Sequence, residues 1–97
     1  MYAVIFRAEI AELDDTYREM SARLRKLAFE NYDCVDFVSV TENGLDLTIS
    51  YWKSLEDINR WRQDAEHIKA KELGRKKWYK WHKLQIVEVK QEYGKHP

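Results

Sequence analysis

The fold is decided in the middle of the chain, where residues 35–52 read VDFVSVTENGLDLTISYW. Both halves of this stretch, Val35 to Val40 and Leu45 to Trp52, are rich in the β-branched and aromatic residues that favour strands. Between them lies Asn43-Gly44, a dipeptide typical of two-residue turns, because both positions there need a positive φ. The stretch predicts an antiparallel hairpin formed by the second and third strands.

An amphipathic helix is predicted before the hairpin, from about Asp15 to about Phe29. Asp14, Asp15 and Thr16 are all possible N-caps, and Thr16 with Glu19 fits a capping box. The apolar residues of this helix recur every three or four positions: Tyr17, Met20, Leu24 and Leu27.

A second helix is predicted after the hairpin, with Ser54 as its N-cap. Asp64 can cap a second segment, so we expect a kink near Gln63. Gly74 is placed as the residue just past the helix end, a position that glycine often occupies. The buried stripe of this helix is expected to comprise Leu55, Ile58, Trp61, Ala65 and Ile68.

The two ends of the chain supply the remaining strands, residues 2–10 and the stretch from Leu84 to Glu92, followed by a tail. The element order is therefore β-α-β-β-α-β. This order is that of the α+β ferredoxin-like sandwich, in which two helices cover one face of a four-stranded antiparallel sheet. At 97 residues, we expect a single domain spanning residues 1–97.

The strands carry apolar residues on both of their faces. Val35 and Phe37 lie in one register of the second strand, and Val38 and Val40 lie in the other. A sheet with one wet face should alternate apolar with polar residues, and a large bare apolar face is rare in monomers. We therefore expect a two-fold homodimer packed sheet on sheet.

Charge and residue inventory exclude several classes of protein. The 17 basic and 17 acidic residues give no net charge, which argues against a dedicated nucleic-acid binder. The stretch from Lys69 to Lys83 nevertheless alternates bases with aromatics, so single-stranded nucleic acid stays an alternative. The histidines are dispersed and Cys34 is the lone cysteine, so the sequence contains no recognisable metal-binding motif. A single cysteine cannot form a disulfide within the chain, and we see neither an apolar leader nor an apolar run of ~20 residues. These features favour a cytoplasmic protein.

A longer pattern runs from the third strand to the end of the chain: Tyr51-Trp52, Ser54, Glu56-Asp57, Trp61, Glu66-His67, Ala70, Gly74, Trp78-Tyr79 and a valine-containing strand ending at Tyr93. With this pattern the chain resembles the antibiotic biosynthesis monooxygenase family, and within it a poorly characterised subgroup. The resemblance implies a dimeric α+β barrel with a pocket in each subunit, between the sheet and the second helix. Some members oxidise phenols to quinones without metal or flavin, others bind and open haem, and many have no known activity.

The resemblance also bears on cofactors. The haem-opening members use an asparagine, a tryptophan and a histidine. The tryptophan position falls on Trp61, the histidine position on Lys71, and the asparagine position close to Phe6. Two of the three differ, so haem degradation is disfavoured and no cofactor is expected. His67 lies about one helical turn from the histidine position and keeps haem from being excluded.

Trp61 and His67 are the catalytic candidates. Trp61 is either a core aromatic or a wall on which a planar substrate stacks. His67 is either a half-exposed helix histidine or a general base that takes a phenolic proton, for which an imidazole pKa near neutrality is suited.

Phe6, Tyr51, Trp78 and Tyr79 are the candidates for substrate contact. As an alternative, Trp78, Tyr79 and Trp81 seal the end of the barrel and the dimer edge, since aromatics are enriched at interfaces. The sequence thus predicts a cofactor-independent monooxygenase of a small aromatic compound. A non-catalytic binding or structural dimer is the alternative.

Overall fold

A computed structural model describes residues 1–95 and shows a four-stranded antiparallel sheet with three helices packed on one of its faces. The strand order is β2-β3-β1-β4, so the predicted ferredoxin-like α+β fold is confirmed. His96 and Pro97, the end of the predicted tail, lie outside the described residues. The strands are β1 (Tyr2–Ile10), β2 (Asp36–Glu42), β3 (Leu45–Trp52) and β4 (Tyr79–Glu88). The helices are α1 (Asp15–Asn31), α2 (Leu55–Arg62) and α3 (Ala65–Leu73).

The central hairpin forms where the sequence predicts it. Asn43 has φ 52° and Gly44 has φ 78°, the left-handed conformation that a tight turn of this kind requires. β3 has its predicted bounds, whereas β2 continues beyond the predicted Val40 to Glu42, which is the partner of Leu45. The strand is longer than predicted because only two residues are needed to reverse the chain.

The caps of α1 and α2 show how local and distant contacts compete. Ser54 caps α2 as predicted, accepting a hydrogen bond from the Asp57 backbone N–H at 3.1 Å. At α1, however, Asp14 is the N-cap and accepts from the Tyr17 N–H at 2.9 Å, so the capping box at Thr16 is wrong. Lys77 also binds the Asp14 carboxylate, with a separation of 2.6 Å between Nζ and Oδ2. This distant partner holds Asp14 in the capping position.

The break between α2 and α3 falls at Gln63 and Asp64, which confirms the predicted kink. Asp64 restarts the helix by accepting from the Glu66 N–H at 2.9 Å. Its other carboxylate oxygen accepts from the Tyr32 hydroxyl at 2.6 Å, and so connects the break to the end of α1.

The region after α3 differs from the prediction. Gly74 directly follows the end of α3, as predicted, but it has φ −59° and opens a π-helical turn over Gly74–Trp78 instead of taking the left-handed conformation that is common there. A Cβ at this position would lie 2.9 Å from Cε2 of Tyr79, and glycine is present because the Tyr79 ring packs directly on the backbone. β4 then runs from Tyr79 to Glu88 rather than from Leu84 to Glu92, because it pairs with the whole of β1.

The two faces of the sheet have different surroundings. On the face under the helices, Val4, Trp52, Ile58 and Trp61 form the main buried cluster together with Ala28 and Cys34. The opposite face, called here the open face, carries no helix within residues 1–95. Large apolar side chains remain 43–54% exposed there: Val38, Val40, Leu45 and Trp81. Within the same residues, none of the helices is both long and apolar enough to cross a membrane.

Candidate functional site

A cavity of about 140 Å³ lies between the sheet and the helices, and it is called here the central cavity. All four strands contribute residues to its floor, and the three helices and the π-helical turn contribute residues to its roof. Its walls are mainly aromatic: Phe6, Phe37, Trp61, Trp78 and Tyr79. Its polar lining groups include Asp46, Thr48, Ser50, His67, His82, Lys71 and Arg75.

Trp61 is both a core residue and a wall of the central cavity. It is 6% exposed, and its ring centroid lies 5.1 Å from that of Trp52 and 6.2 Å from that of Phe37. Its indole Nε1 donates to the backbone oxygen of Leu24 at 3.2 Å. Packing and hydrogen bonding therefore fix the orientation of this indole.

The His67 ring packs against Trp61, with 4.3 Å between the ring centroids and 41° between the ring planes. Its Nδ1 lies 3.3 Å from the backbone oxygen of Trp61. A carbonyl oxygen can only accept, so Nδ1 carries the proton and the neutral ring keeps Nε2 as its acceptor. Burial lowers the pKa of His67 to about 4, so the ring is neutral at pH 7 and is a weaker base than the near-neutral imidazole expected from the sequence.

Asp46 occupies another part of the lining, on the inner side of β3. It is 3% exposed, and its Oδ2 accepts a hydrogen bond from the Tyr17 hydroxyl at 3.0 Å. Within residues 1–95 its Oδ1 is buried and has no hydrogen-bond partner. Burial raises the pKa of the Asp46 carboxyl, because a low-dielectric site disfavours its charged form.

Two tyrosines pack around this carboxyl. Burial, followed by the neighbouring Asp46 carboxyl, raises the pKa of Tyr17 to about 12. Tyr79 packs edge-on to Tyr17, and burial raises the pKa of Tyr79 as well. Both phenols therefore stay protonated at pH 7 and can act only as neutral hydrogen-bonding groups.

The structure brings five of the six candidate residues to the central cavity: Phe6, Trp61, His67, Trp78 and Tyr79. Tyr51 does not reach it. Side chains alternate between the two faces along a strand. Ser50 and Trp52, which flank Tyr51 in the sequence, face the helices, so Tyr51 lies on the open face. Tyr51 therefore does not line the central cavity, and its contact with substrate stays a prediction.

The basic and aromatic stretch after α3 does not form one surface. Trp78 is buried, with its Nε1 donating to Asp14 Oδ1 at 3.2 Å, and Tyr79 turns into the central cavity. Of the three aromatics here, Trp81 is the exposed one, on the open face. A stacking platform for single-stranded nucleic acid needs several exposed rings in a row, so this arrangement argues against it.

Asp46 and Tyr17 are among the lining residues that the sequence analysis did not propose as functional candidates. In LDLTISYW, Leu47, Ile49 and Tyr51 form the more apolar register, which conventionally faces the core. The helices instead cover the register of Asp46, Ser50 and Trp52. The sequence signal that could have found Asp46 is that it shares its register of β3 with Trp52, a large aromatic residue that is commonly buried. In the part of the chain that is described, no three His, Cys, Asp or Glu side chains are grouped so that they could hold a metal ion.

Comparison with known proteins fits this architecture. No family model matches the chain. The chain is 39% identical over 89 residues to the uncharacterised protein YqjZ of Bacillus subtilis, covering 91% of this chain and 78% of YqjZ.

The fold is shared with solved structures of much lower identity. SnoaB, a cofactor-independent oxygenase from Streptomyces nogalater, has a TM-score of 0.78 at 10% identity over 97% of both chains. Rv0793 from Mycobacterium tuberculosis has a TM-score of 0.80 at 10% identity, over 96% of this chain and 98% of its own. A structure described as an antibiotic biosynthesis monooxygenase has a TM-score of 0.64 at 10% identity, over 92% and 98%. The chain belongs to the same family as YqjZ, and its fold is that of the antibiotic biosynthesis monooxygenases.

Proposed function

We propose that this protein is a cofactor-independent monooxygenase that acts on a small aromatic compound bound in the central cavity. The observation that carries the proposal is the cavity itself, which has aromatic walls and a few polar groups that converge on one space. The fold supports it, because SnoaB, a cofactor-independent oxygenase, is built in the same way.

The size of the central cavity narrows the substrate. An engineered apolar cavity of about 150 Å³ holds benzene, so about 140 Å³ suits a single aromatic ring. Pockets for drug-sized ligands begin near ~300 Å³, which is about twice the volume of the central cavity, and a haem needs at least as much space. The volume therefore favours a one-ring phenol over haem or a polycyclic compound.

Each lining residue has a role in this proposal. Trp61 offers its fixed indole as the surface on which the substrate ring stacks. Phe6, Trp78 and Tyr79 supply further aromatic surface around the substrate ring. His67, neutral at pH 7, offers Nε2 as a hydrogen-bond acceptor beside Trp61.

We also propose that the active form is a homodimer that pairs the open faces of two sheets. Val38, Val40, Leu45 and Trp81 are exposed on this face, and an apolar patch of this kind marks an interaction surface. A second copy presents the same patch, so a two-fold axis covers both at once. The lone cysteine is the ground for placing this dimer in the cytoplasm.

The test is oxygen uptake by chelator-treated protein with a panel of one-ring phenols. We expect turnover with at least one phenol, and a fall of roughly tenfold or more for Trp61→Phe, since a smaller ring stacks less well and leaves a gap. Tyr93→Phe is the control, because Tyr93 is 85% exposed and belongs neither to the central cavity nor to the apolar patch of the proposed dimer.

A non-catalytic small-molecule-binding protein is the second candidate function. The observation in its favour is the low pKa of His67, because with that pKa the imidazole beside Trp61 is a weak base near pH 7. Phenols that bind without any oxygen uptake would support this candidate and contradict the oxygenase.

A further inference from the structure

The opening of the central cavity is lined by basic and hydrogen-bonding side chains. The lining residues that are exposed, and so mark where the cavity meets solvent, are Ser21, Lys71, Arg75 and His82. None of these exposed residues is acidic, and the acidic lining residue, Asp46, is buried on the floor. At pH 7 the opening therefore carries the positive charges of Lys71 and Arg75 and no lining carboxylate.

Helical spacing places the two cations next to the aromatic wall. His67, Lys71 and Arg75 follow one another at intervals of four residues along α3 and into the π-helical turn, and all three line the central cavity. Side chains four residues apart lie on one face of a helix. The His67 ring lies against Trp61, whereas Lys71 and Arg75 are exposed, so this face runs from the Trp61 indole outward to solvent.

The chain does not neutralise these two cations. None of the ion pairs found within residues 1–95 involves Lys71 or Arg75. The acidic neighbours on α3 are Glu66 and Glu72, and neither lines the cavity. Glu66 is paired instead with Arg23, at 3.0 Å.

Arg62 at the end of α2 adds further positive charge to this region. Burial, and after it the charge of Arg62, lowers the pKa of Lys71, and the charges of both residues add to the effect of burial on the pKa of His67. The Nε of Arg62 is buried and has no hydrogen-bond partner in the described part of the chain. Like charges gathered in this way repel one another, and a bound anion would offset that repulsion.

We propose that the opening of the central cavity is an anion-binding subsite formed by Lys71 and Arg75, and that the ligand is a one-ring aromatic acid such as a benzoate. The ring stacks on Trp61 inside the cavity. The carboxylate lies at the opening and accepts hydrogen bonds from the Lys71 ammonium and the Arg75 guanidinium, whose planar fork suits a carboxylate. The inference rests on the proposed function, because it narrows the substrate from a one-ring phenol to a hydroxybenzoate.

The volume of the cavity and the exposure of its opening favour an aromatic acid over other anions. About 140 Å³ holds one aromatic ring, so the carboxylate of a benzoate is left at the opening. Lys71 and Arg75 are exposed there, so the carboxylate keeps part of its hydration and the cost of burying a charge is avoided. A small anion without a ring would contact the same cations but would leave the aromatic walls uncovered.

The first experiment measures binding without oxygen, by calorimetry under nitrogen at low salt, with benzoate, benzamide and acetate. Benzamide matches benzoate in shape but has no charge, and acetate has the charge but no ring. Wild-type protein should bind benzoate about tenfold or more tightly than either, because only benzoate uses both the cations and the aromatic walls. The preference over benzamide should shrink when salt is raised to about 0.5 M, since the cations are exposed.

Variants of the two cations locate the subsite. Lys71→Gln and Arg75→Gln should each reduce the preference for benzoate over benzamide by roughly threefold or more, and the double variant should lose most of it, while benzamide binding stays unchanged. Lys76→Gln is the matched control, because Lys76 is an exposed cation of the same π-helical turn that does not line the cavity. Full preference in the double variant would overturn the assignment of these residues.

The possible failures are separable from those of the proposed function. Equal affinity of wild-type protein for benzoate and benzamide would overturn the anion subsite and leave the oxygenase proposal standing, and this measurement needs no variant to fold. Acetate binding as tight as that of benzoate would overturn the aromatic acid as the ligand. A preference for benzoate together with no oxygen uptake on any hydroxybenzoate or other phenol would support the subsite and contradict the oxygenase.

Discussion

Two residue pairs line the central cavity, Trp61 with His67 at one end and Asp46 with Tyr17 at the other. The two pairs differ in how their polar groups are hydrogen-bonded. At the Trp61 end, the indole N–H donates to Leu24 O and the imidazole N–H donates to Trp61 O. At the Asp46 end, one carboxylate oxygen is paired with Tyr17 and the other has no partner in the described chain. The difference indicates that the polar groups of the first pair contribute to stability, whereas the second pair keeps a buried carboxylate oxygen unpaired at a cost to stability.

The largest expected effect is at the Trp61 end. Trp61→Ala should lower the free energy of unfolding by about 3–5 kcal/mol, because it removes a buried ring from the main core cluster. Urea unfolding at a fixed protein concentration measures it. Tyr93→Ala, at a residue that is 85% exposed, is the control and should change stability by less than about 0.5 kcal/mol. A loss below about 1 kcal/mol for Trp61→Ala would mean that this end is not structural.

His67 should make the fold sensitive to acid. The pKa of His67 is about 4 in the folded chain and 6.5 when the side chain is exposed in the unfolded chain. Between pH 4 and pH 6.5 the unfolded chain therefore binds a proton that the folded chain does not. Stability attributable to His67 is therefore intact above pH 6.5 and falls by about 3 kcal/mol by pH 4. Urea unfolding at pH 7 and pH 4 should show this loss in wild-type protein and a correspondingly smaller loss in His67→Gln. Equal losses in the two proteins would contradict it.

Tyr17→Phe tests the one hydrogen bond that supports Asp46. The variant should lose about 1–3 kcal/mol at pH 7, because the buried carboxylate then has neither oxygen paired within the described residues. The loss should shrink in acid as the carboxyl protonates. Thermal or urea unfolding at both pH values measures it, and a loss that does not depend on pH would point to packing alone.

The smallest expected effect has the opposite sign. Asp46→Asn should stabilise the protein at pH 7 by about 0.5–2 kcal/mol, since it removes a buried charge while keeping an oxygen for the Tyr17 hydroxyl. Burial raises the pKa of Asp46, so the folded wild-type chain gains protons more readily than the unfolded chain and the advantage of the variant should fade as the pH is lowered. A destabilised Asp46→Asn would place Asp46 with the structural residues.

The sequence predicted the frame of the fold well because its signals are local. Asn43-Gly44 supplied the two left-handed residues of the hairpin, and Ser54 and Asp64 supplied side chains that cap the residues just after them. The cap of α1 was missed because Asp14 competes with Thr16 over a distance of only two residues. The choice was made by Lys77 and Trp78, far along the chain.

The candidate site was predicted only in its aromatic part. Trp61 and His67 lie on one helical segment of the sequence pattern, so their proximity follows from the helix and its break. Tyr51 was expected at the pocket and Asp46 was overlooked because the sequence did not say which register of β3 faces the helices. In a sheet with apolar residues on both faces, alternation does not say which face the helices cover.

By itself, the sequence determined the strand and helix order, the turn at Asn43-Gly44 and the break before α3, because each depends on residues within a few positions of one another. Only the tertiary structure decided that Asp46 faces inward, that Tyr17 holds it and that Tyr79 begins β4. The hydroxyl of Tyr17 and the carboxyl of Asp46 are 29 residues apart in the chain, and no local pattern records a contact that forms only when α1 packs on β3.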